Sequence, residues 1–448
     1  MRVTTNQFVR TASLSGLMCG LILNLFLIEA FAQKNAQNQP QPTETGQSTS
    51  NEIIVQLNDQ AQLEAVAGQY NLNRIPLSQF GSRPIYRLQI LDNQTPQTVA
   101  ARLLSDPQKR VVNAEPNSVY AAPEAQGNSW SIGNSWSIGT SAEYTAQWAE
   151  SKIRLAEAQA ATRGANQNGA IKIAVLDTGI DLTHPVFAGK LLPGHDFVDG
   201  DDDPSEVGQL SRGSYGHGTH VAGIIAAVAP DAKIIPIRVL DQNGETNLWV
   251  LAEALAWAAD PDGDPSTDDG ADVINLSLGT PTPSQLLKSL VESGCGSVRH
   301  ANFSLGKAVI VAAAGNGGLL NPTQPIYPAS ERVAGEIAVG ASAESDTIAN
   351  FSTRGDGSNN RARVRIFAPG EAIVSTLPNG QYGTWSGTSM AAPFVSGIAA
   401  LVRARYPNLS PAAVEEQIRF YGVRFNQPQR WYRIDAAAAV LNQPVVNQ

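Results

Sequence analysis

The sequence predicts an α/β chain, a mostly parallel sheet with helices on both faces, preceded by a small α+β module. From Trp148 onward, short uninterrupted apolar runs alternate with helix-like segments, and strands that are apolar on both sides belong to a sheet covered on both faces. Residues 52–120 alternate strand-like and helix-like stretches on their own, which describes a separate, smaller unit. Polar residues follow apolar runs at Asp177 and Asn316, and the carboxyl ends of parallel strands are where such sheets form their sites.

Residues 1–32 carry Arg2 and Arg10, an apolar stretch from Leu14 to Ile28 and then Ala30-Phe31-Ala32, the order of a cleaved export signal. The apolar stretch is short and interrupted by Asn24, so a membrane anchor is the weaker reading. Residues 33–50 are nearly all Gln, Asn, Pro, Thr, Ser and Gly and are expected to be a disordered linker. The α+β module is expected over 51–122, with strands at Ile53–Leu57 and Ile85–Ile90, helices at Gln60–Tyr70 and Pro96–Leu104, and a last strand ending at Val119-Tyr120. A connector follows over 123–147, in which N-S-W-S-I-G occurs twice in tandem, at 128–133 and 134–139.

The large domain is expected over 148–448. Its strand-like runs are Ile171–Leu176, Ile234–Leu240, Val273–Leu278, Ala308–Ala314 and Ile337–Gly340, and its helix-like runs are His220–Val228, Leu248–Ala259 and Ser389–Tyr406. A 42% hydrophobic share suits a packed core, and a net charge of -9 disfavours nucleic acid and anionic membranes as partners. Once the signal is removed only Cys295 remains, so no internal disulfide is expected.

Three motifs carry chemistry: Asp177 in I-A-V-L-D-T-G-I-D, His217 in G-H-G-T-H-V-A-G and Ser389 in S-G-T-S-M-A-A-P. A serine is a poor nucleophile until a base is within reach, and the base needs an acceptor that fixes its tautomer. Ser389, His217 and Asp177 fit those roles, in a chain order known for one class of such triads. Ser389 opens a helix-like run, so its backbone N–H and the helix dipole face a developing oxyanion. Asn316, in A-A-A-G-N-G-G, is the expected second donor.

With these motifs the chain resembles the subtilisin-like serine peptidases, or subtilases, from about Trp148 to Val440. The resemblance implies a secreted serine endopeptidase that hydrolyses peptide bonds through an acyl-enzyme and acts as a monomer. It also extends to residues 52–120, similar to the pro-region that assists folding and then inhibits the site until it is cut away. The family binds substrate as an extended strand, which here implies Asn243, Gly244, Glu245 and Thr246 on one side and Ser277, Leu278 and Gly279 on the other. Ala313, Ala314 and Gly315 would line the pocket for the side chain before the cut, with Ile326 at its floor where relatives can carry glycine. A floor of this size implies small to medium apolar side chains.

The chemistry asks for no cofactor. The calcium loop that many relatives insert after H-G-T-H is missing, because Ala226 runs on directly to Pro230, and Val186 stands where a second ligand would. Two acidic loops are candidates for structural calcium: Asp199, Asp201, Asp202, Asp203 and Glu206, and Asp260, Asp262, Asp264, Asp268 and Asp269. His217 and His220 lack the H-E-x-x-H glutamate of a zinc helix, and His220, His184 and His195 are expected to be structural. D-T-G is also the aspartic peptidase signature, but one triplet would require a dimer. A noncatalytic binding module on the same fold is the remaining alternative, and it would be expected to lack a triad residue.

Overall fold

The computed structural model describes residues 48–123, 137–209, 214–264, 267–296, 307–355, 364–425 and 430–443. The expected signal, most of the expected linker and the first N-S-W-S-I-G copy lie outside the described residues.

The N-terminal module is built from β1 (Ser48–Leu57), α1 (Leu63–Gln69), β2 (Ile85–Gln89), α2 (Pro96–Leu104) and β3 (Val111–Ala121). Strand β1 begins three residues inside the segment expected to be linker. It lies between β2 and β3 in an antiparallel sheet. Period-two alternation divides its side chains between two cores. Ile53, Val55 and Leu57 pack with Val66, Val99 and Leu103 of the two helices, whereas Ile54, Ile85 and Tyr120 point into a core shared with the large domain. Helix α2 starts at Thr95, whose hydroxyl accepts the Thr98 N–H, followed by Pro96 in the first turn.

The large domain follows with β4 (Lys172–Asp177), α3 (His217–Val228), β5 (Lys233–Arg238), β6 (Glu245–Asn247), α4 (Leu248–Ala259), β7 (Val273–Leu276), α5 (Gln285–Gly294), β8 (Val309–Ala313), β9 (Glu336–Ser342), β10 (Ile366–Pro369), β11 (Ile373–Leu377), β12 (Gln381–Trp385), α6 (Thr388–Arg405), α7 (Pro411–Phe420) and α8 (Ala436–Leu441). The main sheet runs β5–β4–β7–β8–β9–β10, all parallel. Short pieces extend both edges, and only the outermost, Val423–Arg424, is antiparallel. Ile173 and Val175 of β4 pack with α3 and α6, while Ala174 and Leu176 pack with α4 and α5 on the opposite face. Burial on both faces explains why these strands read as unbroken apolar runs.

Part of the expected connector is built into the large domain. Ser137–Gly139, in the second repeat copy, pairs antiparallel with β12, and Tyr144 is buried with its hydroxyl donating to the Gly223 carbonyl at 2.8 Å. Helices α5, α7 and α8 and strands β10 to β12 have no counterpart in the sequence reading.

Candidate active site

Asp177 is the last residue of β4 and is fully buried. His217 opens α3, and its Nδ1 lies 2.6 Å from Asp177 Oδ1. The same Oδ1 also accepts the Thr178 N–H at 2.8 Å, a second bond that fixes the carboxylate. The helix start is tight: a methyl on Gly218 would lie 3.0 Å from Asp177 Cβ and 2.2 Å from the Gly179 carbonyl oxygen. Only glycine lets the helix approach this close. Trp385 of β12 covers the ring of His217, with centroids 5.7 Å apart, and stacks on His220 at 5.0 Å.

Ser389 is the second residue of α6. Pro393, four residues on, has no N–H to give the Ser389 carbonyl. Ser277 supplies the missing donor: its hydroxyl bonds the Ser389 carbonyl at 3.0 Å. The network continues inward, with Asn275 Nδ2 donating to Ser277 Oγ at 3.0 Å and Ser396 donating to Asn275 Oδ1 at 2.8 Å. The Ser389 hydroxyl lies 3.3 Å from the Ser277 carbonyl. The Ser277 hydroxyl thus holds the Ser389 backbone where Pro393, in the second turn, cannot.

Asn316 follows β8 in a turn where Gly315 has φ +97°. Thr388 sets its amide, since both the Thr388 N–H and hydroxyl donate to Asn316 Oδ1 at 3.0 Å. Thr388 Oγ1 also accepts the Gly315 N–H at 3.1 Å. Sequence reasoning did not single out Thr388, Trp385, Asn275 or Ser396; position next to the motif was the only signal for the first.

A family model described as the subtilase family matches residues 168–419. The chain belongs to the subtilase family. It is 40% identical over 248 residues to the thermophilic serine proteinase of Bacillus sp. (strain AK1), covering 53% of each chain. It is 36% identical over 282 residues to subtilisin E of Bacillus subtilis, covering 60% of this chain and 65% of that one. With thermitase of Thermoactinomyces vulgaris it shares 38% over 267 residues, 57% of this chain and 81% of that one. The chain thus spans between half and two thirds of the length of the first two relatives. Among solved structures, fervidolysin from Fervidobacterium pennivorans, described as a keratinolytic enzyme related to subtilisin, superposes with a TM-score of 0.67 at 22% identity. The alignment covers 91% of this chain and 63% of that one, and shows the fold.

In this subtilase the two expected flanks of the cleft hold a strand of the N-terminal module between them. Glu245, Thr246 and Asn247 pair antiparallel with Ala121, Tyr120 and Val119. On the other side Ala121 and Gly279 exchange both backbone bonds, at 3.1 and 2.9 Å, and the Ala122 N–H donates to the Gly244 carbonyl at 3.0 Å. Asn243 sits in the turn before this edge, its N–H held by Asp241 Oδ1 at 2.8 Å. Leu278 is turned into the core below. The contact extends beyond the cleft. Glu115 accepts the Gln285 and Leu286 N–H groups at the start of α5, and Asn117 accepts the Trp249 N–H at the start of α4.

Ala313 and Ala314 are buried beside Gly315, and Ile326, also buried, packs against Gly279 and Gly315. A methyl on Gly279 would lie 2.4 Å from Ile326 Cγ2, and one on Gly315 would lie 2.7 Å from its Cγ1. Ile326 is therefore wedged between Gly279 and Gly315.

The acidic loops divide. In the first, Asp196 and Asp199 both pair with Arg238 Nη1 at 2.5 Å, Asp202 pairs with His195, and Asp203 caps Ser205. Glu206 turns inward to Thr219. The carboxylates of this loop are engaged by protein groups, Asp201 included, whose Oδ1 accepts the Asp203 N–H at 2.9 Å. In the second, Asp260, Asp262 and Asp269 bring one carboxylate oxygen each within 4.8 Å of one another, the one such group among the described residues. His184 accepts the Val186 N–H, and His220 lies between the Ile373 and Gly383 carbonyls, its pKa pushed down to about 3 by burial. Cys295 is buried and its thiol pushed up well beyond the usual range by burial.

Proposed function

We propose that this chain is a serine endopeptidase that hydrolyses peptide bonds in proteins through an acyl-enzyme, made as a secreted zymogen that cuts itself. The observation that carries the proposal is the extended strand Val119–Ala122 between Thr246 and Gly279, held by backbone bonds on both edges and leading toward Ser277 and Ser389. Backbone pairing of this kind accepts any extended peptide, so a substrate can take the same place once residues 51–122 are released.

In the proposed reaction Ser389 Oγ attacks the carbonyl carbon of the scissile bond while His217 Nε2 takes its proton. Asp177, bonded to Nδ1 at 2.6 Å, holds the tautomer and stabilises the imidazolium. The oxyanion is met by the Ser389 N–H and Asn316 Nδ2, the amide being oriented by Thr388. His217 then protonates the leaving amine, and water, activated by the same ring, releases the acid and restores Ser389. The aspartic alternative is disfavoured, since the partner bonded to Asp177 is an imidazole and not a second carboxyl.

The acidic balance argues against nucleic acid as a partner, and no helix among the described residues is long and apolar enough to cross a membrane. Export rests on residues 1–32. We propose action as a monomer, with its own residues 51–122 as inhibitor. A structural calcium would be held by Asp260, Asp262 and Asp269, whose hard oxygens suit it. A fall in melting temperature on chelation, restored by added calcium, checks this.

The central test expresses the wild type and Ser389→Ala and determines each N-terminus by mass spectrometry. Wild type is expected to lose the module and the variant to retain it. Equal processing of both would assign the cut to another protease.

A further inference from the structure

Glu206 belongs to the acidic loop by sequence but not by contact. Its Oε2 accepts the Thr219 hydroxyl at 2.9 Å and the Thr219 N–H at 3.3 Å. Its Oε1 is enclosed, although the residue as a whole is only half-buried. The backbone carrying it is stitched to the loop after Asp177: the Ile180 N–H donates to Pro204 and the Glu206 N–H to Ile180, at 3.0 and 3.2 Å. Gly179, at φ +107°, permits this, because a methyl there would lie 2.7 Å from the Ser205 carbonyl oxygen.

These contacts answer a defect in the helix that carries His217. The residue before it is Gly216, at φ +87°, which has no side chain with which to cap the first turn. The caps come from elsewhere: Thr178 Oγ1 accepts the Gly218 N–H at 2.9 Å, and Glu206 accepts that of Thr219. Thr178 follows Asp177, and its own N–H bonds Asp177 Oδ1. The Glu206 segment thus holds the loop after the acid through its backbone and the helix bearing the base through its carboxylate, at the end of the helix dipole where negative charge is favoured.

We propose that Glu206 is a positioning residue of the triad, capping the His217 helix from outside while its backbone holds Ile180 of the loop after Asp177, so that the Asp177–His217 bond keeps its length. This rests on the serine peptidase reading above. The ionisable groups around Glu206 are Asp177, Asp181, Tyr215 and His217. Burial raises its carboxyl to about 7, so it gains a proton in the range where His217 must stay neutral, and a protonated carboxyl is a poorer acceptor for the Thr219 N–H and hydroxyl.

The test compares wild type, Glu206→Gln and Glu206→Asp after maturation, with the unprocessed Ser389→Ala chain as control; competent sites are counted by a serine-directed phosphonylating reagent and peptide hydrolysis is followed from about pH 5 to pH 9. Glu206→Gln is expected to lower kcat about tenfold to a hundredfold, the scale of a small misplacement in a catalytic pair, with KM nearly unchanged. The acid limb of kcat/KM should fall as two protons in the wild type and as one in Glu206→Gln, while Glu206→Asp recovers the two-proton limb and part of kcat. Wild-type kcat and an unaltered limb in Glu206→Gln would overturn the proposal, as would equal loss in both variants with no change in limb slope. Should Glu206→Gln not fold, Glu206→Asp decides: lowered kcat per competent site supports the role, and wild-type kcat ends it. Activity retained in Ser389→Ala would instead break the peptidase reading itself.

Discussion

At Ile326 one side chain decides how much room a substrate finds. Its two γ-carbons occupy the positions that side chains on Gly279 and Gly315 would need, so the walls can close on it only because both are glycines. Small to medium apolar residues are therefore expected before the cut. Ile326→Gly should shift the preference toward Phe and Tyr when cleavage of a matched peptide series is ranked by kcat/KM; a wild type already faster after Phe than after Ala or Leu would count against the pocket as described. Asn316 is the second residue whose role is exposed to a single substitution. Asn316→Ala should lower kcat about a hundredfold to a thousandfold with little change in KM, since its donor serves the transition state and not the bound substrate. A loss confined to KM would contradict this.

At the scale of the element, α6 combines a nucleophile at its start with a proline in its second turn, and this works because another strand supplies the missing donor. Removing the hydroxyl in Ser277→Ala leaves the buried Ser389 carbonyl and Asn275 Nδ2 each short of a partner. A loss of about 1–3 kcal/mol in unfolding free energy by denaturant titration is expected, with activity falling as well because the Ser389 backbone is freed. Unchanged stability would mean that the network is replaceable. The module strand β3 shows the same logic between domains. Its residues pair with β6 and Gly279 while Glu115 and Asn117 cap α5 and α4, so edge pairing and helix capping reinforce one docking geometry.

For the whole molecule, buried carboxyl groups make stability depend on pH. Burial pushes Glu150, Glu206 and Glu331 up to about 7 and Glu336 well above the ordinary range. The folded chain then holds protons that the unfolded chain releases above about pH 4.3, so these groups contribute stability that is full below that pH and lost as pH rises through about 7. Asp106 acts oppositely: the hydrogen bonds and charge of Arg110 hold its carboxyl well below the usual range, so its contribution is present above about pH 4 and lost on further acidification. The melting temperature of the intact Ser389→Ala chain should therefore be higher near about pH 5.5 than near about pH 8 on scanning calorimetry. The reverse order would show that the buried glutamates are ionised at little cost.

The apolar runs of β4, β7, β8 and β9 were legible because a strand buried on both faces leaves an unbroken signature, and the same runs placed Asp177 and Asn316 at strand ends. Asp177, His217 and Ser389 were legible as motifs because glycines crowd the positions where backbones approach. Helices α7 and α8 and strands β11 and β12 were not, since short or alanine-rich segments carry little periodicity and take their structure from what they pack on. The acidic loops divide the two kinds of knowledge most clearly. By itself the sequence determined that carboxylates crowd residues 199–206. Tertiary structure alone decided that Asp199 meets Arg238 while Glu206 turns to the His217 helix, because a carboxylate's role follows from the donors that surround it, and those come from distant parts of the chain.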